Sequence, residues 1–377
     1  MTPKIRSLEA IPLRYECQQG SYGSARGVVS HRESTLVRVH LDSAEVGIGE
    51  AFGPPVVMTN LVQEIGPLLL GLSVEAALSE LVRISNQGYH RGTGLFTAAI
   101  SGVDAALWDA MGRIAGLSLA GILGGRAREV VTPYASTGYV RPGSDIHEFR
   151  DLMHETSAGF PGAKIKCGLG LAADLERIQV ARDVLGTDRH LMVDINGNYT
   201  VDEARSLCRE LDSHDVTWLE EPLPPEDIEG LSRLRAYDVP IATGESLFTR
   251  YPFRELLTRG LVSVIQPDVT KVGGVSDMRA LIDMARAWSV RVSPHVWGGG
   301  VALATSLQIL AYIPDYPYST NVTTVPWFEF DRAENGLRSK LLRQPIEVSG
   351  GEVVVPDSPG IGVEIDEEYL NYVRIDK

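Results

Sequence analysis

The sequence is poor in cysteine, in positive charge and in long apolar runs, and each shortage removes a class of protein. Its three cysteines, Cys17, Cys167 and Cys208, form no C-x-x-C pair and are too few for a disulfide framework, which fits a reducing compartment. Lys and Arg number 35 against 49 Asp and Glu, a net charge of −14, and such a field repels phosphate backbones and anionic membrane surfaces. Neither nucleic acid nor membrane is an expected partner. The opening MTPKIRSLEAIPL has no apolar signal region, and the longest apolar stretch, near Val301 to Ile313, is too short to span a bilayer. The expected location is the cytoplasm.

What is present suits a large globular fold. Hydrophobic residues make up 44% of 377 positions and charged residues 22%, enough for a barrel of ordinary size with a partner domain. Residues 1–128 read as a separate α+β domain, with a strand at Thr35 to Leu41, a helix from Thr97 to Ile114 and an end at Gly124-Gly125. Beyond it, eight short β-rich runs alternate with helical stretches: TPYAST, GAKIKCG, HLMVDIN, VTWLEEP, PIATGE, VSVIQPD, RVSPH and PYSTNV. This alternation predicts parallel β/α units over residues 129–322. After Thr323 the rhythm stops, and residues 323–377, rich in Val, Pro and Gly, are expected to return to the N-terminal domain.

Six successive runs end in polar residues, Lys166, Asp194, Glu220, Glu245, Asp268 and His295, spaced 23 to 28 positions apart. One strand, one helix and two loops fill such a spacing, and in a barrel of this kind the carboxyl ends of the strands carry the chemistry. An open doubly wound sheet is the alternative. Acidic residues at strand ends commonly cap the following helix. Three in succession, Asp194, Glu220 and Glu245, instead suggest hard oxygen donors converging on one hard cation, Mg²⁺ or alternatively Mn²⁺. No paired His or Cys favours zinc. Glu221 should point to the opposite side of its strand and be structural.

In AKIKCG, alternation places Lys164 and Lys166 on one face, between apolar Ala163, Ile165 and Cys167. Two lysines facing a barrel interior are costly unless paired, so both should point at the metal site. For Lys166 to act as a base its pKa must fall from about 10.4 to about 7–8, with Lys164, a dication and burial as the expected causes. His295 and Asp268 end adjacent runs, so the carboxylate can fix the imidazole tautomer. Lys166 and His295 then bracket one substrate carbon from opposite sides, with Lys164 beside the substrate carboxylate. The turn Gly168-Leu-Gly170-Leu-Ala-Ala173 has the form of a dinucleotide-binding G-x-G-x-x-A. It follows a lysine-bearing strand in a longer β/α series, and no nucleotide cofactor is expected.

Together GVDAALWDAMGR, KIK, VDINGNY, WLEEP, ATGES, IQPDVTKVGG, SPHVWG and VPDSPGIGVEID resemble the enolase superfamily, in its mandelate racemase and muconate lactonizing branch. The resemblance implies a modified (β/α)7β TIM barrel with an α+β capping domain formed by the N-terminal segment and the C-terminal tail, commonly assembled into homo-oligomers such as octamers. It implies Asp194, Glu220 and Glu245 as metal ligands, Lys166 and the His295–Asp268 dyad as acid and base, and Lys164, Asn196 and Glu329 as substrate-binding residues. A Lys or His base with Mg²⁺ stabilising an enediolate is the chemistry of that superfamily.

HRGTGLFTAAISGVDAALWD, SPHVWGGGVALA and FEFDRAENGLR look most like galactarolactone cycloisomerases and related lactone or anhydro-sugar-acid enzymes. The expected substrate is a small anionic sugar acid or lactone, and the expected reaction cycloisomerisation or dehydration. Racemisation or epimerisation of a 2-hydroxy acid is the alternative, and a non-enzymatic sugar-acid binding protein a remote one. Substrate choice should fall to the capping loops Gln18 to Glu33 and Phe52 to Pro55.

Overall fold

The computed structural model describes residues 2–87, 94–211, 213–315 and 326–376. HRGT, at 90–93, and PYSTNV, at 317–322, lie outside them. In the N-terminal part, β1 (Ile5–Glu16), β4 (His31–Leu41) and β5 (Val46–Ala51) form an antiparallel sheet in the order β1-β4-β5, and β2 (Tyr22–Ser24) and β3 (Gly27–Val29) form a separate hairpin. Four helices follow: α1 (Pro55–Ile65), α2 (Val74–Asn86), α3 (Gly94–Ala115) and α4 (Leu119–Leu123). The long α3 is buried nearly all round, as a helix covered on both sides must be. It lies so close to β5 that a side chain at Gly49 would put its Cβ 2.2 Å from the Gly102 carbonyl oxygen.

The rest of the chain alternates β6 (Val130–Thr137), α5 (Ile146–Thr156), β7 (Gly162–Lys166), α6 (Leu171–Leu185), β8 (His190–Asp194), α7 (Val201–Leu211), β9 (Val216–Glu220), α8 (Ile228–Leu234), β10 (Ile241–Thr243), α9 (Tyr251–Thr258), β11 (Val264–Ile265), α10 (Gly274–Ala287), β12 (Arg291–Val292), α11 (Gly300–Tyr312) and β13 (Trp327–Asp331). All eight strands are parallel to their neighbours, in the order β12-β11-β10-β9-β8-β7-β6-β13. This is a (β/α)7β barrel. At the seam between β12 and β13 the Ser293 hydroxyl donates to the Trp327 carbonyl at 2.8 Å.

Two expectations need correcting here. Trp327–Asp331 is the barrel strand beside β6, so the barrel runs past residue 322, while PYSTNV lies outside the described residues. The tail also serves both parts of the molecule: after α12 (Gly336–Ser339), β14 (Val353–Val354) pairs with β6, whereas α13 (Glu367–Val373) returns to the cap, where Glu367 meets Arg38 at 2.6 Å.

Three buried acids of the cap hold it together with the tail and the barrel. Asp109 on α3 accepts the backbone N–H groups of Ile48 at 2.9 Å and of Ile361 in the tail at 2.7 Å. Asp104, one turn earlier, accepts the Ser276 N–H at 3.0 Å and so caps α10. Glu50 on β5 accepts from Gly299 at 2.6 Å and Ala302 at 2.9 Å, capping α11 just past His295. Carboxylates at helix N-termini satisfy donors that the helix leaves free.

Candidate active site

All five residues of β7 are buried, because one face meets helices and the other the barrel interior. Alternation therefore turns Lys164 and Lys166 inward. Beneath the charged residues the interior is filled by Tyr134, Met192, Trp218, Ala242 and Val264. Register then aligns the strand ends: Lys166 pairs with Asp194, and Asp194 with Glu220. Glu245, Asp268 and His295 stand two or three residues beyond the short strands β10, β11 and β12.

Asp194, Glu220 and Glu245 are buried, and one oxygen of each lies within 4.8 Å of the others. The Oδ1 of Asn196 is buried without a hydrogen-bond partner among the described residues, and the Oε2 of Glu245 makes no hydrogen bond beyond the ion-pair contact with the His295 ring. Three convergent carboxylates with such an unbonded oxygen fit a hard divalent cation, Mg²⁺ before any softer metal.

Cationic groups flank the triad on both sides. Lys164 Nζ bonds Glu220 Oε1, lies 2.8 Å from Glu329 Oε1 and 3.7 Å from Asp194 Oδ2. Lys166 Nζ donates to Asp194 Oδ2 at 2.5 Å. His295 Nε2 is 3.2 Å from Glu245 Oε2, and its Nδ1 is 2.8 Å from Asp268 Oδ2. The amide of Asn196 spans Asp194 at 3.3 Å and Glu245 at 3.4 Å, from a left-handed backbone (φ 51°) that Asn tolerates well. Glu329 reaches the site from β13 and accepts the Val296 N–H at 3.0 Å. One network of contacts thus joins all nine residues singled out from the sequence.

Charge compensation sets the protonation states. Burial pushes Glu220 up to about 7, helped by Asp194, Glu329 and Glu245, because Lys164 is shared among several carboxylates and cannot offset them all. Burial also opposes ionisation of Asp268, but His295 and Lys271 hold it at about 2. Glu329 is held at about 2 against burial by Lys164, His295 and Lys166. Burial pushes Lys166 down, yet Asp194, Glu245 and Glu220 together outweigh it, so its pKa stands above the usual lysine value. The expected lowering is therefore absent from the protein groups alone. A dication among the carboxylates would supply the opposing charge.

Sequence reasoning missed several neighbours. Trp218 Nε1 and Gln266 Nε2 donate to Glu220 Oε2 at 3.0 and 2.6 Å; each sits two residues before a strand-end acid, so alternation already turned it inward. Arg26, at the tip of the β2–β3 hairpin, bonds the Asn196 carbonyl at 2.5 Å and Glu221 at 2.9 Å. Glu221 is thus buried in a cap-to-barrel ion pair, with its backbone at φ 37°. Nothing in the sequence paired two residues 195 positions apart. A cavity of about 250 Å³ lies between the cap residues Arg32, Phe52 and Pro54 and the barrel residues Thr270 and Trp297.

Known proteins share this arrangement of domains. A model described as "Enolase C-terminal domain-like" matches residues 148–369, and one described as "Mandelate racemase / muconate lactonizing enzyme, N-terminal domain" matches residues 18–124. The chain is 36% identical over 363 residues, 94% of each chain, to a D-galactarolactone cycloisomerase of Agrobacterium fabrum. It is 32% identical, over 90% of each chain, to an arabinonate dehydratase of Saccharolobus solfataricus. A crystal structure of the 3,6-anhydro-D-galactonate cycloisomerase from Zobellia galactanivorans superposes with a TM-score of 0.87 at 31% identity, covering 99% of this chain and 100% of that one.

Proposed function

Because the chain belongs to the mandelate racemase and muconate lactonizing enzyme family of the enolase superfamily, we propose that it removes the proton next to a sugar-acid carboxylate and cycloisomerises a lactone or anhydro-sugar acid. The observation that carries this reading is the placement of two proton-transfer groups on one carboxylate triad, Lys166 on Asp194 and His295 on Glu245. The likeness to two cycloisomerases supports the reaction type.

Asp194, Glu220 and Glu245 would hold Mg²⁺, with Mn²⁺ as the alternative, which when bound supplies positive charge beside the carboxylate oxygens where negative charge develops. Lys164, Asn196 and Glu329 orient the substrate carboxylate. Lys166 or His295 takes the α-proton and the other serves the opposite face, while Asp268 holds the imidazole tautomer. The electron pair of the broken C–H bond forms a C=C bond as the β-carbon–oxygen bond breaks. The leaving oxygen stays on the molecule, takes a proton, and the enol becomes a keto-deoxy acid of unchanged formula. Dehydration differs only in that the leaving oxygen departs as water, and the arabinonate dehydratase relative keeps it as the second reading.

No described helix is long and apolar enough to cross a membrane. With three free cysteines, a cytoplasmic homo-oligomer is the reading for location and assembly, and sedimentation measures the latter. The deciding experiment for function is incubation of sugar acids and their lactones with enzyme and Mg²⁺ in D₂O, followed by proton NMR. A deuterated keto-deoxy product supports elimination. Recovery of substrate deuterated and inverted at the α-carbon overturns it in favour of racemisation.

A further inference from the structure

A third lysine touches the His295 dyad, and the proposed reaction gives it no task. Lys271 stands three residues past Asp268, between β11 and α10, and is 8% exposed. Its Nζ donates to the Glu245 carbonyl at 3.1 Å, lies 3.8 Å from Asp268 Oδ2, and sits 4.2 Å from the centre of the Phe52 ring. That same Asp268 oxygen meets His295 Nδ1 at 2.8 Å, while Oδ1 accepts the Thr270 N–H at 2.8 Å and hydroxyl at 2.6 Å. Phe52 belongs to the cap, and its backbone N–H donates to the Thr270 carbonyl at 3.3 Å.

The Lys271 ammonium donates one N–H to a carbonyl, stands at ion-pair distance from a carboxylate and lies against an aromatic ring. Lys271 is therefore fixed in place and fixes what it touches. It ties the backbone of Glu245 to the carboxylate that orients His295, so two strand ends on the imidazole side of the site keep one spacing. The third contact brings in the cap, since a lifted Phe52 would open the ammonium to water and weaken both other contacts.

We propose that Lys271 is a positioning residue for the His295 half of the acid–base chemistry, holding Asp268 and thereby the imidazole in line with Glu245, and that Phe52 makes this hold depend on a seated cap. The kinetic consequence rests on the proposed function; the structural one does not.

The structural test uses protein labelled with ¹⁵N-histidine, the His295 signal being assigned as the one missing from His295→Asn. The hydrogen-bonded Nδ1 proton of His295 should be observed in wild type and Lys271→Arg, and should broaden or vanish in Lys271→Met. Phe52→Leu, a change at a residue 40% exposed that leaves Lys271 in place, should broaden the same signal and decides the matter should Lys271→Met fail to fold. In kinetics, Lys271→Met should lower kcat by about 10- to 100-fold with little change in KM, as expected when an acid–base group is misaligned. It should leave the Lys166-side exchange of the α-proton, and Lys271→Arg should recover most of the loss. An unchanged His295 signal in both Lys271→Met and Phe52→Leu overturns the proposal, as does equal loss of both proton transfers. If wild type turns over no sugar acid, the proposed function fails, while the histidine spectrum still decides the role of Lys271.

Discussion

Replacing Lys164 by Met tests how the lysines and a metal ion share the carboxylates. Lys164 Nζ is fully buried, bonded to Glu220, and 3.7 Å from Asp194. A cation held by Asp194, Glu220 and Glu245 needs oxygen lone pairs that this ammonium already engages, so binding costs the Glu220 contact. A hydrogen bond to a charged group contributes about 1.5–3 kcal/mol. Lys164→Met should therefore bind Mg²⁺ about ten- to a hundredfold more tightly than wild type, yet lose activity with the group proposed to meet the substrate carboxylate. Without metal the variant leaves buried carboxylates short of counter-charge, at a cost of about 3–5 kcal/mol. Mg²⁺ at a hundred times its Kd restores about 2.7 kcal/mol, so a chelator should lower the thermal midpoint of the variant far more than that of wild type. Calorimetric titration of chelator-treated protein reads the affinity. A variant that binds Mg²⁺ no more tightly than wild type refutes the competition. Should it not fold without metal, Lys166→Met, whose Nζ engages Asp194 at 2.5 Å, is expected to give the same result.

Chelation should abolish turnover and Mg²⁺ restore it, and Glu220→Gln should lose metal affinity by calorimetry with the fold intact; full activity of a verified metal-free preparation would contradict this. Lys166→Ala and His295→Asn should each lower turnover by about 10²–10⁴-fold, and one of them should keep exchanging the α-proton with D₂O in an NMR assay. Near-normal turnover in both would remove two-sided proton transfer. Asp104, pushed up to about 7 chiefly by burial, binds a proton when folded at a pH where the unfolded chain does not. Its contribution therefore falls as pH rises from about 4 to about 7, by about 4 kcal/mol in all. Denaturant titrations of Asp104→Asn should show a stability relative to wild type that rises over that window, and a pH-independent difference would count against the raised pKa.

The carboxylate triad and the lysines were legible because barrel geometry converts a chain spacing into a spatial neighbour. One polar residue per β/α unit, on strands whose other positions are apolar, can only collect at one end of the barrel. The eighth strand carries a signal of the same kind: WFEFD alternates, with Phe328 and Phe330 in the outer core and Trp327 against the interior cluster, so Glu329 faces inward. The cap contacts had no such signal. Asp104 meets Ser276, and Asp109 meets Ile361, 172 and 252 positions away, and within α3 both look like ordinary helix acids. Lys271 carries no such signal either, since its contacts with Phe52, Glu245 and Asp268 join separate segments of the chain.

The barrel residues also cannot choose among isomerisation, dehydration and racemisation, since each needs the same triad, the same base and the same opposing group. The difference lies in the substrate: whether its β-carbon bears an oxygen that can leave, and whether that oxygen remains attached through a ring. Discrimination must then come from groups that meet the substrate beyond its carboxylate and α-carbon. The cavity of about 250 Å³ bounded by Arg32, Phe52 and Pro54 lies where both capping segments meet the barrel at Thr270 and Trp297, each two residues past a member of the dyad. Exchanging those segments with the ones of a dehydratase relative should therefore change which sugar acid is accepted while leaving Mg²⁺ affinity unchanged, and a swap that altered metal binding but not substrate choice would place selectivity in the barrel instead.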